Sequence, residues 1–110
     1  MKTLTTTLAL ALLMALHASG ALAATGSSTG RITTLLWYEG HTGLLVRQEG
    51  MSDLGGCGRS DYYIVDTQHP NLKEIYAMLL LAYSSDLPVS ITATDCTQGL
   101  SRVRHVQVNR

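Results

Sequence analysis

Alternation between polar and apolar positions dominates the chain, with one interval of helical period in the middle. Ile32-Thr33-Thr34-Leu35-Leu36-Trp37-Tyr38 is rich in β-branched and aromatic residues, and a period of two puts Ile32, Thr34, Leu36 and Tyr38 on one face. Gly40-His41-Thr42-Gly43 follows as a turn, and Leu44 to Glu49 reads as a second strand, so the pair predicts a hairpin. Gly50 to Ser60 holds four glycines around Cys57, too many for regular structure. Asp61 to Val65 is a third short strand. Val89, Ile91 and Ala93 alternate with Ser90, Thr92 and Thr94 in a fourth strand that reaches Cys96. Arg102 to Val108 forms a fifth, in which Arg104, Val106 and Val108 share a face but Val103 does not. A bulge near Arg104 or His105 reconciles them.

The helical interval runs from about Asn71 to Ser84. Asn71 with Glu74 has the spacing of a capping box, and Pro88 blocks continuation beyond Ser84-Ser85-Asp86. Leu72, Ile75, Tyr76, Leu79 and Tyr83 fall within an arc of roughly 100° and are expected to face the sheet. The opposite face carries Lys73, Glu74, Ser84 and Ser85, but also Ala77 and Leu81, with Met78 and Leu80 on its flanks. A stripe of Ala77, Met78 and Leu81 left in water points to oligomer contact. The order β-β-β-α-β-β predicts a mainly β domain with one helix, a small barrel of the oligonucleotide/oligosaccharide-binding (OB) type. An open α+β sheet covered by one helix is the main alternative, and the single helix excludes alternating βαβ architecture.

The first 23 residues read as a cleaved signal peptide. Lys2 supplies a positive start, Leu8 to Leu16 an apolar run of nine residues, and Ala21-Leu22-Ala23 a small-x-small cleavage pattern. The run is far short of the roughly 20 apolar residues a spanning helix requires. Ala24 to Gly30 is small and polar and is expected to be flexible, which leaves residues 31–110 as the folded domain. Export places the protein outside the cytoplasm, secreted or periplasmic. There the two cysteines, Cys57 and Cys96, are expected to be joined, since no third exists. The competing assignments are a reactive thiol or a metal site, and the absence of C-x-x-C and H-x-x-x-H spacing favours neither.

Composition narrows the function classes. Lys plus Arg equals Asp plus Glu at eight each, and loss of Lys2 with a leader leaves seven against eight. Such a balance argues against a generally basic nucleic-acid binder. With 45% hydrophobic and 15% charged residues and a mean hydropathy of +0.13, the chain has the composition of a folded protein.

Several stretches together resemble the exported B subunits of bacterial AB5 toxins, in particular the subtilase cytotoxin B-subunit-like and pertussis-like group. They are Gly30-Arg31-Ile32-Thr33, Cys57 followed by Tyr62-Tyr63-Ile64, the helix with Tyr76-Ala77-Met78-Leu79-Leu80-Leu81-Ala82-Tyr83, Leu87-Pro88-Val89-Ser90-Ile91, and Cys96. The likeness is one of pattern over residues 30–108, and the chain is shorter near its C-terminus than the toxin members. It implies an OB-like fold, a ring of five subunits, binding of cell-surface glycans, an exported enzymatic A subunit as partner, and no catalysis, cofactor or metal in this subunit.

Apart from the resemblance, the residues leave two classes open: a ring-forming, glycan-binding subunit, or an exported interaction or inhibitor protein acting as monomer or dimer. His41, His69 and His105 are scattered, and the chain has no G-x-x-x-x-G-K-[ST], G-x-S-x-G or H-E-x-x-H motif, so nothing points to catalysis. Trp37, Tyr38, Tyr62 and Tyr63 are the aromatic candidates for stacking on sugar rings, although alternation sends one of each neighbouring pair inward. Arg102, Arg104 and His105 form a basic cluster suited to a carboxylate or phosphate, or to protecting an edge strand.

Overall fold

The computed structural model describes residues 24–110, and the signal-peptide reading of residues 1–23 lies outside them. Five strands and one helix follow one another as β1 (Thr25–Trp37), β2 (Gly43–Gln48), β3 (Tyr63–Asp66), α1 (Leu72–Ser84), β4 (Pro88–Thr97) and β5 (Leu100–Val108). The strands pair in the order β1-β2-β3-β5-β4, and β1 also pairs with β4, so the sheet closes into a barrel. All pairings are antiparallel except that of β3 with β5. β1 closes the barrel by pairing with β4 through its first half and with β2 through its second.

The first strand differs from expectation. Residues 24–30, expected to be flexible, begin β1, which runs 13 residues and pairs with β4 from Thr25↔Thr94 to Arg31↔Pro88. Hydroxyls make this half of the strand: Thr25 with Thr94 at 2.9 Å, Ser27 with Thr92 at 2.7 Å and Thr29 with Ser90 at 2.7 Å. Cross-strand hydroxyl pairs stabilise a sheet without apolar alternation. β1 then leaves β4 for β2, with a break in register between Ile32 and Thr34. The extra residue breaks the single face expected for Ile32, Thr34, Leu36 and Tyr38. Leu35 packs with Ile32 in the main core, whereas Leu36 joins a second cluster of Leu45, Ile64 and Leu100.

In β5 the irregularity falls where the alternation requires it. Thr92 pairs with His105 and Ala93 with Val103, so Arg104 is the extra residue, and Val103, Val106 and Val108 all reach the core. Close approach to a backbone carbonyl fixes Gly55 in the glycine-rich loop and two glycines of the β1–β2 region: a Cβ on Gly30 would lie 2.2 Å from the Glu49 carbonyl oxygen, and one on Gly43, at φ +149°, 2.4 Å from that of Val65.

Helix α1 covers one side of the barrel with Ile75, Leu79 and Ala82 buried and Leu72 partly so. Tyr76 and Tyr83, expected on that face, are exposed. At about 100° per residue the helix is turned by roughly 40° from the predicted orientation. Ala82 explains the turn, because a small residue at the contact lets the helix approach the sheet and leaves no room beneath its rim for a tyrosine. The capping box is not formed. Asn71 makes no side-chain cap; instead its N–H donates to His69 Nδ1 at 3.0 Å, and Leu72 N–H donates to the His69 carbonyl at 3.2 Å. At the other end Ser85 N–H donates to Leu81 O, Asp86 takes φ +53°, and Leu87 N–H donates to Ala82 O. This is a Schellman closure, with aspartate where glycine is usual.

Cys57 and Cys96 form a disulfide, their Cα atoms 5.7 Å apart, and neither reactive-thiol nor metal chemistry is open to them. The bond fixes the glycine-rich loop to β4. Within the loop, the Asp53 carboxylate accepts the N–H groups of Cys57 and Gly58, each at 2.7 Å, and Leu54 is buried against the main core.

Candidate functional site

An apolar surface groove of about 440 Å³ lies where the end of β1 meets the first turn of α1. Leu35, Leu36 and Leu44 line it from the sheet and Leu72 from the helix, while Trp37 and Tyr76 stand on either side and Lys73 lies beside them. Its volume is within the range of small-molecule sites. Trp37 shares the face of Leu35 but is the last residue of β1, where it stands 64% exposed, and Tyr76 is lifted out by the turn of the helix. Tyr76 and Lys73 were not legible as site residues, since the periodicity assigned one to the core and the other to the solvent face. The signal available was their adjacency on the helix, a tyrosine at the edge of the apolar arc beside a cation.

The other aromatic candidates separate. Tyr63 is fully buried, and its hydroxyl donates to Ser52 O at 2.9 Å and accepts Ser52 N–H at 3.2 Å. It is a core residue and not a sugar contact. Tyr62 is half-buried against the second cluster and lies 4.5 Å beneath the Arg47 guanidinium. Tyr38 is exposed at the β1–β2 turn, its ring 5.8 Å from that of His41. Near Tyr62, Arg59 donates two hydrogen bonds to Asp61; this pairing raises the pKa of Arg59 and lowers that of Asp61.

Ala77, Met78 and Leu81 are exposed, as are Leu80 and Tyr83. Only the Leu72, Ile75, Leu79 and Ala82 side of α1 is covered, so apolar groups surround the helix. Leu81, 58% exposed, stands on the outermost face.

Of the basic cluster, Arg102 and Arg104 stay together and His105 does not join them. Arg102 pairs with Asp95, and Arg104 and His105 are exposed. Arg102 and Arg104 line a second, polar cleft of about 250 Å³ with Asp66, Gln68 and His69. Its groups are largely engaged with one another. His69 Nε2 bonds the Arg104 carbonyl at 2.7 Å while Nδ1 accepts from Asn71, which assigns the proton to Nε2. Asp66 accepts from Gln68 N–H, Thr97 and Gln98. Its pKa is lowered, chiefly by the Gln68 N–H, with the two side-chain donors and the positive charge of Arg102 adding to it. Among the described residues there is no group of three or more His, Cys, Asp or Glu able to hold a metal ion, and no helix is long and apolar enough to cross a membrane.

No protein family, curated protein or solved structure matches the chain.

Proposed function

We propose that the protein is an exported, non-catalytic binding subunit that acts as a homo-oligomer, a ring of five as the AB5 B-subunit resemblance implies, with a cell-surface glycan as its ligand and an exported enzymatic A subunit as a further partner. The observation that carries this reading is the helix. Exposed apolar side chains gathered on one element point to a partner surface, and α1 covers only one side of itself with its own barrel, leaving Tyr76, Met78, Leu80, Leu81 and Tyr83 exposed among Lys73, Glu74 and Ser84. A second copy against Ala77, Met78 and Leu81 removes that surface from water. The strand order with a helix between β3 and β4 supports an OB-type barrel. The disulfide is compatible with an oxidising compartment, secreted or periplasmic. The non-catalytic reading is what the AB5 B-subunit resemblance implies, and in the polar cleft both ring nitrogens of His69 are engaged with backbone groups.

For the glycan, the exposed rings of Trp37 and Tyr38 and part of Tyr62 supply stacking faces, beside hydroxyls and the Arg47 and Arg59 guanidinium groups. Single sites of this kind are weak, and a ring raises avidity by about 10² to 10⁴. Light scattering on the oxidised protein tests the assembly. Wild type is expected at the mass of a multimer and Leu81→Lys at a lower mass. A monomeric wild type at high micromolar concentration would overturn the ring. A multimer that binds nothing on a broad glycan array keeps the assembly and removes the receptor.

A further inference from the structure

We propose that the groove between Trp37 and Tyr76 is a binding site for a single-chain amphiphile with one negative charge, its chain on the leucine floor and its carboxylate at Lys73. The inference shares Trp37 with the glycan reading but takes a different ligand, because the groove as a whole has few polar groups for a sugar. A sugar ring presents several hydroxyls, each needing a partner once buried, whereas the walls are leucine, tryptophan and tyrosine, and their polar side-chain groups are the Lys73 ammonium, the Tyr76 hydroxyl and the Trp37 indole N–H. One charge at the rim of an apolar trough matches a ligand with one charged end.

The sign of that charge follows from Lys73. No carboxylate lines the groove, and Lys73 makes no ion pair among the described residues, where Arg31, Arg59 and Arg102 each have an aspartate. Lys73 also sits in the first turn of a 13-residue helix, the positive end of the helix dipole, where an acidic side chain is preferred; Glu74 supplies one in the same turn but does not line the groove. A cation placed against that field is locally unfavourable, and such conflicts concentrate at functional positions. A carboxylate at Lys73 relieves the conflict, since ammonium and helix end both attract it.

Trp37 is the only tryptophan of the chain, so its emission reports directly on the groove. The probes are decanoate, decyltrimethylammonium and butanoate, below their micelle-forming concentrations, with scattering mass recorded in parallel. Decanoate is expected to give a saturable blue shift at unchanged mass, the cation to bind about three- to tenfold more weakly, and butanoate to give no shift. Lys73→Gln is expected to bind both decyl probes equally. The proposal is overturned if decanoate gives no saturable shift up to millimolar concentration, if the anion preference persists in Lys73→Gln, or if the shift follows a change in mass. A monomeric wild type that still binds decanoate ends the ring and leaves this site standing.

Discussion

Gly30 occupies the step at which β1 leaves β4 for β2. Its neighbour Arg31 still pairs with Pro88, while Ile32 pairs with Gln48. The buried Gln48 amide holds the step by donating to the carbonyls of Gly30 at 3.2 Å and Val89 at 3.0 Å. Because a Cβ would meet backbone and not a movable side chain, Gly30→Ala is expected to destabilise the fold by more than about 2 kcal/mol in urea unfolding. A loss below about 1 kcal/mol would show that the strand can shift. At Asp66 the effect is electrostatic. Its folded pKa lies below the ordinary aspartate value, so its contribution is fully present above about pH 4 and is lost as pH falls through the folded value. Wild type should therefore lose more stability than Asp66→Asn on acidification below about pH 4. Parallel curves would contradict the assignment.

For the helix, burial discriminates two residues that sequence periodicity treats alike. Leu79 is fully buried and Tyr83 is 50% exposed. Leu79→Ala is expected to cost about 2 to 5 kcal/mol and Tyr83→Ala less than about 1, read from thermal or urea unfolding of both variants. Equal losses would place Tyr83 back in the core. The existence of α1, its end before Pro88 and the apolar alternation of β4 and β5 were legible because periods of 3.6 and 2 leave different marks on a sequence. The rotation of α1 was not, since it depends on how closely Ala82 lets two elements approach. Nor was the start of β1, because serine and threonine give no apolar alternation and acquire their meaning only opposite Ser90, Thr92 and Thr94. The groove was half legible: Trp37 stood out as one of two neighbouring aromatics of which alternation turns one outward, but Tyr76 and Lys73 join it only when α1 packs beside the end of β1.

Across the whole molecule the disulfide links the longest irregular loop to a central strand. Cys96→Ser is expected to cost about 2 to 5 kcal/mol, measured against the oxidised wild type. Wild type and variant of equal stability would mean that Leu54 and the Asp53 turn hold the loop unaided. The place of β5 in the barrel has a consequence for biogenesis. The last strand in chain order does not lie at the margin of the sheet but between β3 and β4, and β1 finds β4 only across some sixty intervening residues. Until residues 100–108 leave the ribosome, β3 and β4 have no strand between them and the ring cannot close. A nascent chain of this topology stays open until β5 has been made, and non-local pairing then makes closure slow. An open chain is the form that a membrane channel can thread, so under the export proposed above the strand order itself would hold back folding until translocation was complete.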